Sequence, residues 1–165
     1  YWNIPYLDDN DEPVQALVEE FHRVLDSAVG KPLGRSGYMG AILTGGTDTA
    51  YALAKKHGIK LAWGTDTLFE PVLATRQGKQ LVKMQRWFTP AQTLRMATHD
   101  NAELLALSGP RSPYPGRLGV VEAGALADLL LVDGNPLENL ALVATPETSF
   151  MVIMKDGRIY KNSLH

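Results

Sequence analysis

LAWGTDTL, residues 61–68, places an aspartate directly after a short apolar run. Residues 59–63, IKLAW, read as a buried strand, with Gly64-Thr65-Asp66 at its C-terminal end. A near copy, LTGGTDTA at residues 43–50, offers Asp48 in the same Gly-Thr-Asp frame. The two aspartates differ in the residues that come after them. From residue 47 the pattern is helical to His57 and stops at Gly58, so Asp48 reads as a helix cap, bonding the free N–H groups of the first turn. Asp66 leads into a loop instead. In a βα barrel the strand ends at that face carry the active site, whereas elsewhere an aspartate after a strand is a cap or turn residue. The local pattern leaves both readings of Asp66 open.

Working outward toward the start, YWNIPYL (1–7) alternates like a short strand and DDNDEP is a polar loop. Val14, Leu17, Val18, Phe21, Val24 and Leu25 then take the spacing of a helix with one buried face, with Asp11 as cap, Pro13 in the first turn and Gly30 at the stop. The glycines of KPLGRSGYMG (31–40) lack the phosphate-loop spacing, which argues against a nucleotide site.

Toward the end, the sequence turns helical after Glu70, with Leu81, Val82 and Met84 as apolar positions. Thr89-Pro90 is a hydroxyl cap with proline at the first helical position. The spacing predicts that this helix carries Leu94 and Ala97 and closes at His99, with a further short helix over 101–107. SGPRSPYPG (108–116) is a connector. Beyond it DLLLVDG is an apolar strand closed by a turn, and FMVIM and RIYK flank Lys155-Asp156-Gly157 as a hairpin. Alternating strand and helix implies a parallel sheet or barrel, and the tail implies a separate antiparallel sheet.

The 165 residues carry a formal charge of −2, which gives no electrostatic case for nucleic acid. No apolar run reaches the roughly 18 residues that span a bilayer. Cysteine is absent, which excludes disulfides and thiolate metal sites. One carboxylate is not a mechanism, because hydrolysis needs a partner group or a metal-activated water. The histidines are His22, His57, His99 and His165. His22 borders an apolar stripe, His57 and His99 sit at helix ends where an imidazolium suits the dipole, and His165 is terminal. None stands in a His-x-His or His-Glu-x-x-His pattern, so local motifs build no closed zinc site.

Four stretches in succession resemble the C-terminal part of the metal-dependent amidohydrolase superfamily. They are KKHGIKLAWGTDTL, WFTPAQTLRMATHDNAELLAL, GRLGVVEAGALADLLLVDGNPLENL and VIMKDGRIYKN. The chain is most similar to the imidazolonepropionase-like branch, which includes Xaa-Pro dipeptidases and N-acyl amino acid hydrolases. The resemblance implies an α/β fold: the last βα units of a (β/α)8 TIM-type barrel, over residues 1–108, and C-terminal strands of a small composite β-sandwich, over 109–165. It makes YWNIPYL the seventh barrel strand and IKLAW the eighth.

By the same resemblance, Asp66 is a metal ligand and the general base toward the attacking water. Thr67 and Tyr6 are the residues placed to touch substrate, although a barrel-core role for Tyr6 is the simpler alternative. The cofactor implied is a divalent metal, zinc first, as one or two ions whose other ligands lie outside this chain. The family's His-x-His pair, its lysine and its single histidines have no counterparts here, so the expectation is a piece whose partner is the missing N-terminal part of the same enzyme. Two βα units cannot close a barrel, and the 165 residues alone are expected to be inactive. The substrate expected is a small molecule: a dipeptide, an N-acyl amino acid or a cyclic amide. The pattern excludes neither a homo-oligomer nor the rival reading, a non-catalytic interaction module on the same scaffold without metal. Compartment is not legible in the sequence.

Overall fold

A computed structural model describes residues 19, 20, 23, 27, 46–67 and 70–164. The expected strand over 1–7, most of the first helix and the glycine-rich loop lie outside the described residues. The chain forms two compact units, Tyr1–Lys60 and Leu61–His165.

In the first unit, α1 (Thr47–Lys56) is an alanine-rich helix that buries Leu53 and Ala54. It ends at Gly58 as expected. Gly58 takes φ +65°, its N–H donates to Lys55 O, and the Ile59 N–H donates to Ala54 O. This is the paired closure that a left-handed glycine permits at a helix end. The expectation that Asp48 caps the helix is corrected. Gly46 holds the cap position, and Asp48 lies in the first turn, where a carboxylate suits the positive end of the dipole. Helical Glu20 meets the far end of α1: it accepts from Lys56 Nζ at 2.7 Å, and its other oxygen lies 2.7 Å from His57 Nε2. The hydrogen bonds from Lys56, then His57, hold the Glu20 carboxyl at about 2.

The second unit opens with residues 61–67, which correct the buried-strand reading of IKLAW. These residues pair with no strand among those described, and from residue 59 burial alternates between half-buried and exposed. That alternation is the period of an extended chain with one covered side. The helical stretch expected after Glu70 is broken into α2 (Pro71–Ala74), α3 (Gln77–Val82) and a 3₁₀ turn, Lys83–Arg86. Leu81, Met84 and Phe88 are its buried positions.

Thr89 caps α4 (Pro90–Arg95) as expected, and Gln92 completes a reciprocal box. The Gln92 N–H donates to Thr89 Oγ1 at 3.3 Å, and the Thr89 N–H donates to Gln92 Oε1 at 3.0 Å. The helix does not close at His99. A π-helical turn, Met96–Asp100, carries it without a break into α5, Asn101–Ala106. No glycine or proline interrupts residues 91–108, so nothing in the backbone requires a stop.

After the connector come β1 (Leu129–Val132), a 3₁₀ turn (Leu140–Ala144), α6 (Pro146–Ser149), β2 (Phe150–Lys155) and β3 (Arg158–Asn162). The three strands form one antiparallel sheet in the order β1-β2-β3. The hairpin falls where Lys155-Asp156-Gly157 places it, with Asp156 at φ +48° and Gly157 at +73°. Two successive left-handed residues twist a two-residue turn to match its strands. The Asp128 carboxylate holds this turn, accepting from the Asp156 N–H at 2.7 Å and from Lys155 Nζ at 2.9 Å. These bonds, the Asp156 one foremost, lower the Asp128 pKa.

A depressed folded-state pKa means that stability from this carboxylate is present above its ordinary, unfolded value. That stability is lost as pH falls through the lower, folded one. The denaturation midpoint of Asp128→Asn should therefore lie below that of the parent at neutral pH, with the gap closing below about pH 4. A gap that persists undiminished in acid would show that the charge of Asp128 contributes nothing.

Candidate functional site

Asp66 is exposed and adopts φ +47°. Aspartate is one of the few side chains that enter the left-handed region readily. Its carboxylate passes over Gly64, where a Cβ would lie 3.6 Å from Asp66 Oδ1. On either side, Thr65 and Thr67 share a hydroxyl–hydroxyl hydrogen bond of 3.1 Å. Among the described residues, none bonds or pairs with the Asp66 side chain, and Asp66 caps no helix. The next helix, α2, is preceded by Glu70 at the cap position. Thr67 is half-buried. Tyr6 lies outside the described residues, so of the three expected site residues only Asp66 and Thr67 are placed, adjacent along the chain.

The support behind this loop comes from the helix. Asn101, the first residue of α5, faces Trp63 with both ends of its amide. Its Oδ1 accepts the Trp63 N–H at 2.8 Å, and its Nδ2 donates to Trp63 O at 2.9 Å. The π turn before Asn101 is itself pressed from below. A Cβ on Gly119 would sit 2.7 Å from Thr98 O and 2.8 Å from His99 Cα. The glycine-rich signature around residues 116–134 is thus structural in its effect. Gly119 lets the chain touch the helix, Gly124 and Gly134 take φ +85° and +104°, and Asp128 holds the hairpin.

His99 and Asp100 fall in the π turn beside Glu103. His99 Nδ1 lies 3.2 Å from Asp100 Oδ1 and 4.0 Å from Glu103 Oε2. This set of one nitrogen and two carboxylates has donors of the kind a divalent ion takes, and sequence spacing alone did not single it out. Arg95 Nε donates to Asp100 Oδ1 at 3.0 Å, so that carboxylate is already neutralised. Partial burial pushes the Asp100 pKa up, but the bonds from Arg95 and His99 outweigh it and leave it lowered. His99 and Glu103 border a cavity of about 460 Å³ floored by Ala102, Leu105, Leu118 and Val120. Asp66 is not among the residues that line it.

Residues 38–161 match the amidohydrolase family, and the chain belongs to it. Among solved structures it is similar to an amidohydrolase, at 29% identity over 87% of this chain and 33% of that one, with a TM-score of 0.62. It is also similar to the A. niger ochratoxinase, at 25% identity over 92% of this chain and 35% of the other, with a TM-score of 0.59. A prolidase complexed with N-methylphosphonate-L-proline shares the fold, with a TM-score of 0.64 at 21% identity, over 92% of this chain and 38% of that one. The chain therefore spans about a third of the length of these neighbours. No curated protein matches it. Among the described residues no helix is long and apolar enough to cross a membrane.

Proposed function

We propose that the chain is part of a metal-dependent hydrolase of C–N bonds, with residues 1–108 belonging to its barrel and 109–165 to its β-sandwich. The observation that carries this reading is Asp66 itself. It lies inside the family match, is exposed at the end of an anchored segment, and has no bonding partner among the described residues. Its carboxylate suits a divalent ion, since an anionic oxygen is a hard ligand of the kind such cations take. Asp66 would hold that ion, zinc being the first expectation, together with ligands from outside this chain. When bound, such an ion lowers the pKa of a water toward neutrality and polarises the scissile carbonyl.

The chain's own part is proton handling and substrate contact. Asp66 accepts the proton of the attacking water and delivers it to the leaving nitrogen. Thr67, next to it and bonded to Thr65, is a candidate to contact the substrate, and Tyr6 is the other. The substrate classes are a dipeptide, an N-acyl amino acid or a cyclic amide.

The test is metal removal from the complete enzyme. Chelation should abolish hydrolysis of whichever of the three classes is cleaved, and a divalent ion added back should restore it. Turnover that survives thorough chelation, or no hydrolysis of any class by the metal-loaded enzyme, would refute the reading.

A further inference from the structure

We propose that Asn101 is a positioning residue for Asp66, acting on it through the backbone of Trp63; this rests on the catalytic reading of Asp66 given above. The chain at 61–67 pairs with no described strand. The amide of Asn101 does what a neighbouring strand does. It takes the N–H of Trp63 at 2.8 Å and gives a hydrogen to the C=O of the same residue at 2.9 Å. In an antiparallel ladder, facing residues exchange the same two bonds. A planar primary amide carries one acceptor and a donor side by side, so it can copy that exchange from a single side chain. Trp63 and Asn101 are both half-buried, where water competes less for these bonds.

Only Gly64 and Thr65 separate Trp63 from Asp66. Among the described residues, the clamp at Trp63 is the nearest hydrogen bond from this segment to another element before the carboxylate. The amide is fixed in turn. Asn101 Nδ2 also lies 3.4 Å from Ala97 O across the π turn, and Thr98 Oγ1 donates to Leu94 O at 2.8 Å. Gly119 packs under Thr98 and His99 from the connector side. A proton acceptor works only within a narrow range of position, and a misplacement of about 1 Å costs on the order of 10²-fold in rate.

Asparagine is needed by this account because both bonds are required. An alanine makes neither. An ionised aspartate still accepts from the Trp63 N–H but sets an oxygen against the Trp63 carbonyl. A protonated aspartate restores the donor and has nearly the shape of the amide. The experiment measures kcat and KM of the complete enzyme against pH for the parent, N101A, N101D, D66N and S149A. Ser149 Oγ donates to Thr145 O at 2.7 Å, remote in sequence from the clamp, so S149A is the control for lost stability alone.

The expected result for N101A is a kcat lowered about 10- to 100-fold with KM within about twofold, while S149A keeps the parent's kcat at temperatures where both are folded. The ratio of N101D to N101A turnover should rise as pH falls from about 7 toward 4, the range in which an aspartate carboxyl begins to take up its proton. Parent-like kcat in N101A beside an inactive D66N would overturn the positioning role while leaving Asp66 in place. A loss in N101A no greater than in S149A at equal folded fraction, or a flat N101D to N101A ratio, would overturn it too. Full activity in D66N would remove Asp66 from catalysis, and Asn101's role with it.

Discussion

Asp66→Asn in the complete enzyme should lower kcat by about 10²- to 10⁴-fold, the range expected when a positioned proton acceptor is lost. The substitution isolates the chemistry well. The φ of +47° at this position costs most side chains energy, but asparagine enters the left-handed region as readily as aspartate, so no new backbone strain arises. The side chain is exposed and bonds no described residue, so little folding energy is at stake. The amide keeps an oxygen that can still face a cation, but it cannot take up a proton at neutral pH. Initial rates, read beside a thermal melt of each protein, separate the two effects. A melt within a degree or two of the parent together with near-parent turnover would place the base elsewhere. Asp66→Ala is the poorer probe, because it adds strain at the same φ.

Gly119→Ala should be the most destabilising single-atom addition in the tail segment. At φ +71° an alanine pays about 1–2 kcal/mol for the left-handed conformation. Its Cβ would also lie 2.7 Å from Thr98 O, 2.8 Å from His99 Cα and 2.9 Å from Ala102 Cβ. Two of those atoms are backbone of the π turn and cannot swing aside, so overpacking adds about 1–3 kcal/mol. Gly124→Ala is the matched comparison. It shares the left-handed region, at φ +85°, but its Cβ would meet nothing within 4 Å, and only the conformational part should be lost. Urea midpoints of the two variants give the difference directly. Equal losses would mean that the contact between Gly119 and the helix is not part of the folded protein. Because Gly119 supports the turn that carries Asn101, its alanine variant should also lose turnover.

The parts of this structure that are legible in the sequence are those fixed by neighbours along the chain. Gly58 stops α1, Thr89-Pro90 starts α4, and Asp156-Gly157 turns the hairpin, each through a backbone conformation that one or two residues decide. The resemblance of residues 116–140 to amidohydrolases is equally readable, and the family match bears it out. The departures have a common cause. IKLAW has the apolar composition of a buried strand, but a strand is completed by partners, and Trp63 is bonded by an asparagine distant in sequence. His99 looks like a helix end because histidine suits a C-terminus, whereas residues 96–100 widen into a π turn and the helix runs on. Asp48 sits inside its helix because Gly46 already holds the cap.

The sequence by itself determined the class, the hairpin, the helix boundaries at Gly58 and Thr89, and the singular position of Asp66 after an apolar run. Those come from local backbone chemistry and from motifs read in order. Only the tertiary structure decided that the Asn101 amide holds the Trp63 backbone, that Gly119 lets the chain touch the helix, and that His99, Asp100 and Glu103 converge. Each of these joins groups by distance in space, and spacing along the chain carries no measure of that distance.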